Sequence, residues 1–217
     1  MNIEQARFNM VEQQIRPWDV LDPKVLDLLF KVKREEFVPT EYKSIAFADL
    51  EIPIGGGQNM LPPRVEARLL QEVGVKKTDR VLEIGTGTGY MAALLASRAD
   101  HVVTVEICPT LAEGAKTNLQ TAGVQNVTVE VGDGTKGWFA RGPYDVIVVS
   151  GSMPVVPTEI LRQLRVGGRL AIIVGEAPVM EAQLITCTAD GRYNTINLFE
   201  TVVAPLEGVA PVVGFSF

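Results

Sequence analysis

Histidine is almost missing from this chain: His101 is the only one in 217 residues. An imidazole-based triad, or a metal centre with several histidines, would have to be built around that one ring, and no metal site is expected. His101 lies where a predicted helix gives way to a strand (SRADHVVTVE, residues 97–106), which suits a surface role. Cysteine is nearly as scarce. Cys108 and Cys187 share no motif and read as small core residues of a protein kept in a reducing cytoplasm. The chain has no G-x-S-x-G elbow, no C-x-x-C and no GxxxxGK[ST] loop, so hydrolase, zinc-enzyme and P-loop NTPase chemistries all lack their signatures. Basic clusters are missing too. The formal net charge is −6, and the only groupings are Lys31, Lys33 and Arg34, and Lys76 with Lys77, read as solvated helix ends. That balance argues against a nucleic-acid partner, whose phosphates are held by clustered Lys and Arg. No apolar run approaches the ~20 residues that span a bilayer, so no membrane partner is expected. The opening MNIEQARFNMVEQQIRP lacks the basic and apolar regions of a signal peptide.

What remains is an ordinary globular composition, 47% apolar and 21% charged. The length allows one large domain, or a domain with a helical extension. From residue 80 onward short apolar strands alternate with amphipathic helices: RVLEI, YMAALLASRA, HVVTVE, a helix from Pro109 to about Thr121 with Gly123 beyond it, NVTVEV, YDVIVVS, a helix from Pro157 to near Val166, then RLAIIVG. Such alternation predicts an α/β fold, a doubly wound and mostly parallel sheet covered on both faces. Asp190-Gly191 between two β-rich runs predicts a terminal antiparallel hairpin. The leading residues read as helical: about Ile3 to Ile15, a second helix capped by Asp22-Pro23, and a third from Arg64 to Val73 stopped by Gly74. No repeat or Ser/Gly linker separates them from the rest. We therefore expect residues 1–78 to form a helical extension with a loop, packed as one unit on a sheet domain at 79–217. Within the extension, PIGGGQNMLPP (53–63) could be a linker, an anion-binding loop or the lip of a site. A phosphate-holding loop would ordinarily bring a lysine.

The chemistry concentrates in VLEIGTGTGY, residues 81–90. Gly85, Gly87 and Gly89 fall between a predicted strand and helix, where a ligand can meet backbone N–H groups. A dinucleotide turn would read G-x-G-x-x-G, yet that spacing puts Tyr90 at the third glycine. Glu106 ends the second strand, 17 residues after Gly89, placed to accept hydrogen bonds from the two hydroxyls of a ribose. Taken singly, each element is an unremarkable βα turn or strand-end acid; in register they define a nucleoside-cofactor site. Glu83, upstream of the glycines, suits a cationic amine and sulfonium better than a pyrophosphate. Asp133, in VGDGT, can meet an adenine amino group or simply make an Asp-Gly turn.

The segments MVEQQIRP, REEFVPTEY, AFADLEIPIGGGQ, DRVLEIGTGTGYMAALLA, VTVEI, GDGTKGW, PYDVIVVS and VPTEILRQLRVGGRLAIIVG resemble, nearly end to end, the protein-L-isoaspartate O-methyltransferase family. That family lies within the Rossmann-like S-adenosylmethionine-dependent methyltransferases. The resemblance implies a seven-stranded sheet and S-adenosyl-L-methionine as cofactor. It implies that Gly85, Thr86, Gly87, Thr88 and Gly89 cradle the methionine part with Glu83 nearby. Glu106 and Ile107 would then hold the ribose, with Asp133 and Gly134 at the adenine. It implies a protein or peptide partner bearing isoaspartate, whose free carboxylate is methylated to begin repair. Such an acceptor is already ionised at pH 7, so no general base is required, and no catalytic residue is assigned. Alignment alone can supply roughly 7–11 kcal/mol of barrier lowering.

The substrate loop departs from the family. Where relatives read G-Q-T-I-S-Q-P, this chain has Gly57, Gln58, Asn59, Met60, Leu61, Pro62 and Pro63. Gln58, Asn59 and Leu61 are the candidate substrate-side residues, and Asn59 and Leu61 replace the family's threonine and serine. Losing the serine hydroxyl beside a carboxylate removes a bond of about 1.5–3 kcal/mol, one to two decades of rate. Three readings follow: isoaspartyl methylation, methyl transfer to another small acceptor, or cofactor binding without catalysis. A nicotinamide oxidoreductase is disfavoured by G-x-G-x-G. The oligomeric state is not legible.

Overall fold

The computed structural model describes residues 2–209. Its central sheet has seven strands: β3 (Arg80–Ile84), β4 (His101–Glu106), β5 (Val127–Val131), β6 (Tyr144–Met153), β7 (Leu164–Glu176), β8 (Val179–Ala189) and β9 (Arg192–Glu200). They are ordered β5-β4-β3-β6-β7-β8-β9. The five strands from β5 to β7 pair in parallel and the last two add antiparallel. Strand order reverses beside β3, between β4 on one side and β6 on the other. In an open α/β sheet this switch point leaves a crevice at the carboxyl ends of the strands.

Helices cover both faces. They are α1 (Ile3–Asn9), α2 (Pro23–Lys31), α3 (Pro63–Val73), α4 (Tyr90–Ala96), α5 (Pro109–Thr121) and α6 (Thr158–Leu161). Alternate strand residues point to opposite faces, and two apolar clusters result. One gathers Val81, Val102, Val146 and Ala171 with Met10, Leu29, Leu69 and Leu94 of the helices. The other gathers Leu82, Val103, Ile147 and Leu170 with Ile160 and Tyr144. Local signals act as expected at several ends. Asp22 accepts the Lys24 N–H at 2.8 Å to cap α2, and Pro23 occupies its first turn. Gly74 closes α3 at φ 51°, and Gly191 turns the terminal hairpin at φ 66°. Among the described residues no helix is long and apolar enough to cross a membrane.

The leading stretch is helical from Ile3 to Ile15 as expected, with α1 ending at Asn9 and the turns widening to a π-helix over Met10–Ile15. Two expectations need correction. The helix after Pro157 stops at Leu161, because Leu164 pairs with Tyr144 and draws residues 164–168 into β7. Gln163 locks that turn, donating to the carbonyls of Lys136 and Glu159. The glycine-rich stretch is a separate two-stranded hairpin, β1 (Ile52–Gly55) and β2 (Gln58–Met60). Its turn takes Gly55, Gly56 and Gly57 through φ of 93°, 60° and 74°. Successive positive φ values are costly for any residue with a Cβ, which explains the glycine run.

Candidate active site

The turn after β3 lies at the switch point. Gly85, Gly87 and Gly89 all have positive φ, and Gly89 precedes α4. Glu106, at the end of β4, folds back on this turn. Its Oε2 accepts the Gly87 N–H at 2.8 Å and its Oε1 accepts the Cys108 N–H at 3.0 Å. A carboxylate offers about four lone-pair sites, so acceptor capacity remains for ligand hydroxyls.

A cleft of about 500 Å³, counting its open mouth, runs along these strand ends. Gly85, Gly87, Glu106, Ile107 and Gly134 line it from the sheet side, and Gln58 and Asn59 from the hairpin. A smaller cavity adjoins it, sharing Asn59, Gly85, Gly87 and Ser150. Glu83, Thr86, Thr88, Leu61, Glu66 and Tyr90 face this second space. The structure thus brings nearly all the sequence-predicted site residues to two connected cavities. Asp133 and Gly89 stand apart. Asp133 is exposed, lines neither cavity, and its Oδ1 accepts the Thr135 N–H at 2.8 Å in a local turn. Gly89 also lines neither cavity and instead faces Ala115 and Leu119 of α5. Leu61 is 4% exposed, so most of its side chain belongs to the core and only part faces the cavity.

Several lining residues escaped the sequence reading. Ser150, at the carboxyl end of the β6 core run, donates to Glu83 Oε1 at 2.9 Å. Its position at a strand end beside the switch point was the available signal. Leu206 and Glu207 close the cleft from a segment with no motif of its own. That segment is pinned to Ser152, which receives Leu206 N–H at 3.0 Å and donates its own N–H to Ala204 O at 3.1 Å. A Cβ at Gly85 or Gly151 would come within 2.8 or 2.7 Å of Leu206 Cδ2.

The electrostatics are acidic and desolvated. Glu83 is fully buried, and Thr104 donates to its Oε2 at 2.7 Å. Burial pushes its carboxyl up to about 8, against the opposing pull of the Thr104 and Ser150 hydroxyls; Glu66 and Glu106 push it the same way. Glu66 is raised to about 7, since burial outweighs the attraction of Arg34. Tyr90 is buried with its hydroxyl unpartnered among the described residues.

A positive-φ glycine turn, a strand-end carboxylate with free acceptor capacity, and buried acids that a cation would relieve all fit S-adenosylmethionine. Fold and cleft together define a Rossmann-like S-adenosylmethionine-dependent methyltransferase. Comparison with known proteins narrows the class. The family model described as Protein-L-isoaspartate(D-aspartate) O-methyltransferase (PCMT) matches residues 5–209. The chain is 45% identical over 203 residues to the protein-L-isoaspartate O-methyltransferase of Protochlamydia amoebophila, covering 92% of this chain and 95% of that one. It is 42% identical over 202 residues to that of Methanoculleus marisnigri, covering 93% and 91%. A solved protein-L-isoaspartate O-methyltransferase superposes with a TM-score of 0.80 at 29% identity, over 95% of this chain and 66% of the other. A putative Plasmodium falciparum homologue, solved with S-adenosyl-L-homocysteine, shares the fold at a TM-score of 0.78 and 19% identity, over 95% and 99%. The chain belongs to the protein-L-isoaspartate O-methyltransferase family.

Proposed function

We propose that this chain methylates the free carboxylate of isoaspartyl residues in damaged proteins, as a soluble repair enzyme of the cytoplasm. The observation that carries the reading is the cleft itself, in which the hairpin carrying Gln58 and Asn59 faces the glycine turn and Glu106. Glu106 and Ile107 would hold the ribose, the turn from Gly85 to Gly89 the methionine part with Glu83 beside it, and Gly134 with Asp133 the adenine end. S-adenosylmethionine brings an activated methyl and its own leaving group. The protein's residues then bind, orient and exclude water, which agrees with a cleft that offers no histidine. Neither a nucleic acid nor a membrane is proposed as partner. The leader and the sheet act as one unit, joined through the apolar cluster they share. Methyl transfer to an isoaspartyl peptide, run beside its normal aspartyl twin, tests the proposal; equal rates on both, or none on either, would overturn it.

A second reading has its own support. Leu61 and Met60, both buried, stand where the family has serine and isoleucine, and both face the same cavity. Such an apolar wall favours a less polar acceptor. Transfer across a panel of small carboxylates, amines and thiols, with isoaspartyl peptide inert, would select that reading.

A further inference from the structure

The β1–β2 hairpin belongs to no larger sheet, and two short strands are at best marginally stable by themselves. Immediately after it come Pro62 and Pro63, which have no N–H with which to anchor the chain. Ile52, Met60 and Leu61 bury its ends in the core, and a polar anchor adds to that hold. Arg34 is 0% exposed, and its nitrogens reach three separate segments. Nε donates to Ala46 O at 3.0 Å, Nη2 donates to Leu61 O at 2.7 Å, and Nη1 donates to Glu66 Oε2 on α3. Its guanidinium carbon also lies 5.3 Å from the centre of the Tyr90 ring. Tyr90 is the first residue of α4, directly after the glycine turn. One buried cation therefore touches both walls of the inner cavity.

We propose that Arg34 is a positioning residue for methyl transfer, fixing the acceptor lip through the Leu61 carbonyl against the cofactor turn through the Tyr90 ring. This rests on the proposed function for the identity of the acceptor, but not for the mechanical link. A rigid planar fork is suited to the task because each donor direction is set by the others. Glu66 accepts from Nη1 and, in its ionised form, supplies the counter-charge to the buried guanidinium.

The test uses the double variant Arg34→Met/Glu66→Met, which removes both charges at similar volume and leaves neither unpaired, together with Arg34→Lys. Cooperative melting establishes folding, and calorimetry measures S-adenosylhomocysteine binding. Hydrogen exchange at residues 58–61 reads the lip, and KM and kcat are taken on an isoaspartyl peptide. The double variant should bind S-adenosylhomocysteine within about threefold of wild type while peptide KM rises about tenfold or more. Exchange at residues 58–61 should accelerate, and Arg34→Lys should fall between the two. Unchanged lip exchange with unchanged peptide KM would overturn the proposal. Should the double variant fail to fold, Arg34→Lys alone decides by the same two readings. A wild type inert on isoaspartyl peptides sinks the acceptor assignment, and lip exchange then judges Arg34 by itself.

Discussion

Glu83 lies fully buried between the hydroxyls of Thr104 and Ser150, and its carboxyl is raised to about 8, so it keeps its proton near neutrality. A sulfonium and an ammonium arriving beside it would favour the ionised form. Binding of S-adenosylmethionine near pH 7 should therefore release up to about one proton. The thioether product should release less, and Glu83→Gln should abolish the difference. Calorimetry in buffers of different ionisation enthalpy measures this. The same acids predict how stability follows pH in the absence of ligand. Both bind protons more tightly folded than unfolded, so their contribution is complete below about pH 4.5. It is lost as pH rises through about 7 for Glu66 and about 8 for Glu83. The unfolding free energy should fall across that window, by up to roughly 1.4 kcal/mol per pH unit and group, as denaturant titrations at a series of pH values would show, and Glu83→Gln should flatten the slope. Leu61→Ser poses opposing effects. A hydroxyl restored at the lip should raise isoaspartyl turnover by one to two decades, about 1.5–3 kcal/mol. Replacing a largely buried leucine should cost about 2–4 kcal/mol of stability. Steady-state kinetics and a melt on the same sample separate the two.

The elements whose signals are local were legible in the sequence. Pro109 and Gly123 bracket α5, Gly74 ends α3, and Asp190-Gly191 turns the terminal hairpin, because each residue acts through its own backbone preference. Where a tertiary partner overrides the local pattern, the reading failed. Residues 164–168 look like a helix end until Leu164 finds Tyr144 across the sheet. Glu66 carried no signal in the sequence, and only the fold shows it buried against Arg34. Likewise Leu206 carries no motif, and its place in the cleft depends on a bridge between Pro205 and Ser152. At this scale Gly74→Ala should lower stability by about 1–2 kcal/mol, since φ 51° penalises a Cβ. Thermal melting checks it. Tyr90→Phe should leave the melting temperature unchanged or raise it, because the lost hydroxyl is buried without a partner among the described residues.

Across the molecule, we expect the leader to melt with the sheet, because the leader's core is shared with one face of the sheet although the other face keeps a cluster of its own. Met10, Val11 and Leu29 share one cluster with Val81, Val102 and Val146. Trp18 and Trp138, the only two tryptophans, report on the two halves. Single-tryptophan variants, Trp18→Phe and Trp138→Phe, should show coincident urea midpoints once each is referred to its own circular-dichroism transition. Two separate transitions would show that the leader folds on its own.

The approach of Leu206 to Gly85 and Gly151 carries an evolutionary consequence. Neither glycine can gain a side chain unless the leucine gives way, although more than fifty residues separate it from either in the chain. Positions 151 and 206 should therefore drift as a pair among relatives, with larger residues at 151 accompanied by smaller ones at 206, while Gly85 is fixed separately by its φ of 91°. In a library selected for new acceptors, Leu206 is then the place to open first, since it lines the cleft itself and shortening it makes room at position 151, whereas Gly85 stays glycine at φ 91°.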